Sequence, residues 1–327
     1  MVIDERLLTA LSDGQFHSGQ ELGQHLGISR SAIWKQMKSL ESLGVEIYSI
    51  RGRGYRVPGG LELLCEEKIV NECSDVVARH LRNITVQRVV DSTNLVAMRD
   101  VQNGLADAHL YLAEYQTAGK GRRGRQWVSP FARNLYFSLV WNFSKGAAAL
   151  EGLSLVVGLA LQQALTSMGL SAIELKWPND LLVDSKKLAG ILLEMQGDAS
   201  GECQVVIGVG INVAMPDEAS EGIDQPWVDL SSLCNGSVSR NHLMSTILNH
   251  LIPVLEQFKQ EGFGAFREEW HACHAYQQKA VRIISGHREV VGECQGVDAQ
   301  GALIIHHQDG VEHFHAGEVS VRAYHAS

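Results

Sequence analysis

The densest chemistry in the chain is Gly119-Lys120-Gly121-Arg122-Arg123-Gly124-Arg125, four cations and three glycines in seven residues. Glycines keep such a backbone flexible and easy to approach. The cations suit a phosphate whose negative charge must be neutralised during a reaction. The segment also matches the dinucleotide pattern GxGxxG, but a Rossmann loop opens an apolar helix. Here Gln126-Trp127-Val128-Ser129-Pro130 follows, polar and stopped by proline. No GxxxxGK[ST] phosphate loop occurs in the sequence. The bland alternative, a flexible basic loop, leaves four like charges repelling one another with no anion to relieve them.

Other pieces point to the same kind of ligand. Leu175-Lys176-Trp177-Pro178-Asn179-Asp180 sets one lysine at the end of an apolar strand, just before a proline turn. Such a lysine can bridge two anions, or simply snorkel at the surface. Val206–Val213 reads as a strand whose Gly208 and Gly210 permit close approach of a flat group, although strand glycine also marks bulges. Asp91-Ser92-Thr93-Asn94 reads equally as a helix cap and as an array of donors. Met215–Asp229, with Trp227 near its end, is too long to be idle in a compact domain and is a candidate lid. His271, Cys273 and His274 lack a second pair at zinc spacing and are not read as a metal site, and the histidines at 306, 307, 313 and 315 are read as surface residues.

The elements that must hold these residues divide the chain into three. Residues 1–60 carry seven Lys and Arg against six Asp and Glu, whereas the rest carry 21 against 31. The net charge of −9 is therefore an average of unlike parts. Pro58-Gly59-Gly60 marks a break. Before it, Ser18 and Glu21 form a capping box, Gly27-Ile28-Ser29 makes a turn, and a longer helix starts near Arg30. Ile33, Met37, Leu40 and Leu43 give that helix a buried face, while Arg30, Ser31, Trp34, Lys35 and Lys38 lie on the other. Arg51-Gly52-Arg53-Gly54 then forms a cationic hairpin tip. Together these read as a winged helix-turn-helix that binds DNA, with a protein-interaction module as the alternative.

In the middle segment Leu153–Met168 shows an apolar helical stripe, and Leu181–Val183, Leu188–Leu193 and Val205–Val209 read as strands of one sheet. Beyond about residue 272, short β-branched runs at Val281–Ile284, Glu289–Val291 and Leu303–Ile305 alternate with turns, the pattern of a small β-barrel. The longest apolar run, Leu155–Leu161, falls far short of the roughly 20 residues of a membrane helix. The acidic N-terminus lacks a secretory pattern, and six scattered cysteines without a CxxC fit reduced thiols, so a cytoplasmic protein with no membrane partner is expected.

Asp91–Asn94, Gln116–Arg125, Lys176–Leu181, Lys187–Leu192 and Gly208–Asn212, in this order, resemble the bacterial bifunctional biotin–protein ligases and biotin operon repressors. The resemblance spans essentially the whole chain, and the set of motifs is specific where any single one would not be. It implies a multidomain α+β fold: a winged helix-turn-helix DNA-binding domain at 1–60, an α+β ligase domain with a mixed sheet at 61–272, and an SH3-like β-barrel at 273–327. It implies that ATP and biotin, with Mg²⁺, give biotinyl-5′-AMP and pyrophosphate. A lysine of the biotin carboxyl carrier protein of acetyl-CoA carboxylase then displaces AMP.

In the terms of that family, Lys176 holds the biotin carboxylate and the α-phosphate, and Arg122 neutralises the developing charge. Ser92, Thr93, Asn94 and Gln116 line the biotin site; Lys120, Gly121 and Arg122 close over it. Gly190 lies in the pocket wall, Asn212 near the nucleotide, and Trp227 covers the adenine. Biotinyl-5′-AMP is also the expected corepressor: it orders Gly119–Arg125 and the polar Gln196–Glu202 turn, favours a homodimer, and the dimer binds the biotin operator. Related lipoyl ligases share the central architecture, but the arginine-rich loop with KWPND favours biotin. The family loop more often reads GRGRRGR; Lys120 keeps the charge without arginine's bidentate fork, implying weaker retention of the adenylate.

Overall fold

The computed structural model describes residues 4–144, 146, 150–197, 201–234, 236–286, 288–317 and 319–324. The first sixty residues fold as their caps dictate. Asp4 caps α1 (Glu5–Leu11), and Ser18 with Glu21 forms the complete capping box of α2 (Gly19–Leu26). Gly27 ends α2 in the left-handed region at φ 69°, and Ser29 caps α3 (Arg30–Ser42). Leu7, Leu22, Ile33, Met37 and Leu40 meet in one buried core. The wing pairs β1 (Tyr48–Ile50) with β2 (Gly54–Arg56), antiparallel, and His17 makes a single antiparallel bridge to Tyr55. Gly54 is required there, because a Cβ would run into the His17 carbonyl. Phe131 and Ala132 from the central segment complete this core, and Glu5 pairs with Arg88, so the winged helix is docked rather than tethered.

The linker helices α4 (Glu66–Asn71) and α5 (Asp75–His80) lead into a seven-stranded sheet. Its strands are β3 (Asn83–Val90), β4 (His109–Gln116), β5 (Leu135–Phe143), β6 (Glu174–Lys176), β7 (Asp180–Val183), β8 (Lys186–Gly197) and β9 (Cys203–Ile211). They lie in the order β3-β4-β5-β9-β8-β7-β6; β3 and β4 are parallel and every other pair is antiparallel, which makes the sheet mixed. Alternation along β5 shows both faces covered. Val140 meets α6 (Thr93–Gln102) on one side, while Phe137, Leu139 and Trp141 join the large core on the other.

That core is built around α7 (Leu153–Ser167), expected as an amphipathic stripe but buried over most of its circumference. The reason is α10 (Arg240–Glu261), a 22-residue helix whose apolar side lies against α7 and covers what would have been its outer face. Short helix α8 (Asp217–Ser220) lies within the Met215–Asp229 loop, α9 (Leu230–Leu233) follows it, and α11 (Arg267–Ala272) closes the segment. The C-terminal sheet is wholly antiparallel, β10 (Ala280–Ser285), β11 (Arg288–Val297), β12 (Leu303–His307), β13 (Gly310–Phe314) and β14 (Val319–Ala323), in the order β13-β12-β11-β10-β14. Its inner residues join the central core, and Trp177 Nε1 donates to Gly301 O at 3.0 Å across the junction. The chain is thus a multidomain α+β protein. Of the histidines expected at the surface, His307 is instead half-buried, 3.4 Å from Glu312.

Candidate active site and nucleic-acid face

The cationic loop folds as a small closed hairpin. Gly121 N donates to Arg125 O at 2.7 Å and Trp127 N to Gly119 O at 2.9 Å. Within it, Arg123 sits in the left-handed region at φ 59°, a conformation unusual for a side-chain-bearing residue. This turn aims Arg122 inward. Its Nη1 donates to Asn179 Oδ1 at 3.1 Å, and its Nη2 to the Gly317 carbonyl of the C-terminal sheet domain.

Arg122 thereby borders a cleft of about 590 Å³ between the central sheet, the loop, Met215–Trp227 and β14. Lys176, at the end of β6, and Lys187, at the start of β8, also border it, with Arg125 and Arg322. Lys187 Nζ is 2.6 Å from Asp180 Oδ1 and lies 5.4 Å over the Trp127 ring. Burial holds the Lys176 ammonium below its ordinary pKa; Asp180 opposes the shift, and Lys187, Arg322 and Arg125 add to it. Burial likewise lowers Arg122, against the pull of Asp180. With Arg123, six cations face one cavity against two carboxylates, Asp180 and Asp224, a field that attracts a polyanion.

A second, smaller pocket of about 50 Å³ adjoins the cleft. Ser92 occupies the N-cap position of α6, as the cap reading expects, but its side chain makes no cap bond. Ser92, Thr93 and Asn94 are buried polar residues, and with Gln116 they line the pocket. Gln116 Oε1 accepts from Thr93 N at 2.9 Å, and Ser138 Oγ lies 2.6 Å from Asn94 Oδ1. Asn94 Nδ2 donates to Glu194 Oε2 at 2.8 Å. Lys120, Gly121 and Gly190 also line the pocket.

Gly190 and Gly210 are cross-strand partners, and their flat surface is covered by the indole of Trp127, into which a Cβ at Gly210 would collide. The close approach read for the strand glycines is therefore made by the chain itself: Trp127 at Gly210 and Asn94 at Gly208. Trp127 Nε1 is buried without an acceptor among the described residues. Asn212 borders the large cleft, but its amide is used, donating to Lys187 O at 3.3 Å and Val228 O at 3.2 Å. Trp227 borders the same cleft from the loop above.

Sequence reasoning missed Trp127, Lys187, Asp180 and Arg322. For Trp127 a signal existed: two glycines on strands that had been assigned to one sheet leave a gap that only an aromatic ring fills well. Arg322 carried no local signal, since its place depends on how the last strand docks. The tip of the Gln196–Glu202 turn, residues 198–200, lies outside the described residues. Among the described residues no group of three or more His, Cys, Asp or Glu side chains is placed to hold a metal ion.

In the N-terminal segment, α3 exposes Arg30, Ser31, Trp34, Lys35 and Lys38, with Trp34 at 52% of its full accessibility. Lys38 Nζ pairs with Glu41 Oε2 at 2.5 Å. At the wing, Arg51 and Arg53 are exposed, and Arg53 stacks 4.7 Å over Phe16. An exposed helix with a cationic face beside a cationic hairpin has the shape and charge to enter a major groove and touch flanking phosphates.

Family models match three segments: an HTH domain at residues 5–56, the Biotin/lipoate A/B protein ligase family at 86–212, and the Biotin protein ligase C terminal domain at 279–322. The chain is 38% identical over 317 residues to the bifunctional ligase/repressor BirA of Salmonella typhimurium, covering 97% of each chain. It is 37% identical to its counterpart in Escherichia coli, again covering 97% of each. Among solved structures, the biotin protein ligase of Aquifex aeolicus in complex with biotin and ATP aligns with a TM-score of 0.64 at 28% identity. That alignment covers 75% of this chain and all of the other.

Proposed function

The chain belongs to the family of bifunctional biotin ligase/repressors, and from that premise we propose how its residues perform both tasks. It is an ATP-dependent biotin–protein ligase and a DNA-binding transcriptional repressor, with biotin and ATP as substrates. Residues 61–272 carry the ligase chemistry, 1–60 bind DNA, and 273–327 form the SH3-like closing domain.

The observation that carries the reading is the convergence of Lys176, Arg122 and Lys187 on a polyanion-sized cleft beside a small, polar, buried pocket. The ureido head of biotin enters the small pocket toward Ser92, Thr93, Asn94 and Gln116, with its ring system against Trp127 and its aliphatic chain in the adjoining cleft. Its carboxylate then emerges next to Lys176. Attack of a carboxylate oxygen on the α-phosphorus of ATP forms the acyl–phosphate bond and expels pyrophosphate. Two anions must meet for this, and Lys176 offsets their repulsion while Arg122 neutralises charge as it moves toward the leaving group.

Trp227 covers the adenine, and Lys120 and Gly121 close the biotin side. The resulting mixed anhydride is held away from water until the ε-amine of a lysine on the biotin carboxyl carrier protein attacks the carbonyl carbon and releases AMP. Mg²⁺ would be carried in with the triphosphate. Such an ion needs only one or two protein carboxylates, and Asp180 and Asp224 at the cleft fit that role. Bound there, it would neutralise phosphate charge.

The repressor half uses biotinyl-5′-AMP as corepressor: it orders the loops around it, favours a homodimer, and the dimer presents two copies of α3 to the biotin operator. Arg30, Ser31, Trp34, Lys35 and Lys38 face the groove, with Arg51 and Arg53 on phosphates. The test is incubation with biotin, ATP, Mg²⁺ and carrier protein, then mass measurement. One biotinyl group added to the carrier is expected; an unmodified carrier would refute the ligase assignment for this chain.

A further inference from the structure

The Met215–Asp229 loop rises over the nucleotide side of the cleft with little packing of its own, since residues 217–227 are exposed or half-buried where described. Its two feet are fixed differently, by buried polar side chains. Asn134, fully buried at the entry to β5, accepts from Val213 N at 2.9 Å and Ala214 N at 3.3 Å through Oδ1. Its Nδ2 reaches Met215 Sδ at 3.7 Å. Asp229, also buried, accepts from Met215 N at 2.8 Å through Oδ2 and caps α9 through Oδ1, 2.9 Å from Ser232 N.

Asn134 is itself held. Its carbonyl accepts from Arg240 Nη1 at 3.2 Å, and that guanidinium pairs with the buried Glu114 at 2.6 Å. Neither Asn134 nor Asp229 borders either pocket. A buried N–H that loses its acceptor must shift to find another, and here the groups that would shift are the loop's first residues. Trp227 lies two residues from Asp229; its neighbours Pro226 and Val228 bond the Lys187 backbone, so a shift of the foot re-sets the angle of the indole without releasing the segment.

We propose that Asn134 and Asp229 are positioning residues for nucleotide binding: they set the feet of the loop so that Trp227 stands over the adenine. The inference rests on the ligase reading above and deepens it. The small pocket is built on α6, β4, β8 and β9; the polar groups of the first three bond one another, and β9 is held by its pairing with β5 and β8 before the chain reaches Val213. The effect is therefore confined to the nucleotide. A third tie, Lys187 N to Pro226 O at 2.9 Å and Val228 N to Lys187 O at 3.0 Å, is backbone only and survives side-chain substitution.

The experiment compares wild type, Asn134→Ala and the isosteric Asp229→Asn in biotin-dependent pyrophosphate release. Limited proteolysis by a glutamate-specific protease follows cleavage after the exposed Glu221 in parallel. Each variant is expected to raise KM for ATP roughly fivefold to tenfold, leave KM for biotin within about twofold, and lose ATP protection of Glu221. If Asn134→Ala does not fold, Asp229→Asn carries the test. Variants whose KM for ATP is unchanged, or whose two KM values rise together with a lowered Tm, would overturn the inference while the ligase reading stands. A wild-type protein releasing no pyrophosphate would bring down both.

Discussion

The winged helix and the ligase cleft use the same residue types, lysine and arginine, under opposite conditions. On α3 and the wing, Arg30, Lys35 and Arg51 stand exposed, and Lys38 has a neighbouring glutamate. In water such charges act through counterion release: they add up over many contacts, and each is modest. In the cleft, Lys176 and Arg122 are partly stripped of water, and their charged forms are penalised before any ligand arrives. An anion that enters repays that penalty, so a single residue there decides a rate. The difference is burial, and net charge does not record it.

The largest expected effect follows from this. Lys176→Ala should lower biotin-dependent pyrophosphate release by roughly 10²-fold or more, as for loss of other preorganised charge stabilisers. A rate within a few-fold of wild type would remove Lys176 from the mechanism. The same group sets a pH limit. Only the protonated amine attracts the two anions, so activity is present below its depressed pKa and is lost as pH rises through it. The alkaline limb of kcat/KM should therefore begin below the ordinary lysine value of 10.5, and Lys176→Arg should shift it upward.

How much of this was legible in the sequence varies by region. The winged helix could be read closely, because its boundaries are set locally by Ser18, Glu21, Gly27 and Ser29 and its faces by helical spacing. The central sheet could not: β8 and β9 extend beyond their apolar runs, and β3, β4 and β5 give no clean alternation because they are covered on both faces or sit at an edge. The burial of α7 depends on α10, about a hundred residues later. In the site, motif residues were legible, whereas Lys187, Asp180 and Arg322 gain their meaning only from cross-strand register and domain docking.

A buried base without a ligand sharpens the contrast. His274, its ring 4.4 Å from that of Trp270 and tilted against it, is pushed down to about 4 by burial. The unfolded chain binds that proton first, so stability should rise with pH between about 4 and the ordinary value of 6.5. His274→Gln should flatten that slope in the thermal midpoint without altering activity at neutral pH. A slope unchanged by the substitution would show that burial of His274 does not control it.

The smallest effect belongs to the exposed set. Arg51→Ala should reduce the log–log salt slope of operator binding by about two, one contact for each protomer of the dimer, and leave pyrophosphate release untouched. An unchanged slope would take the wing off the phosphates.

The central claim is that exposure separates two jobs done by like charges, and one salt titration tests it directly. On the same wild-type sample, operator affinity and single-turnover adenylate formation with saturating biotin and ATP are followed from low to moderate salt. Affinity is predicted to fall steeply, by several powers of ten per decade of salt, while adenylate formation stays nearly flat because buried pairs are screened little. Parallel declines in both would contradict the account.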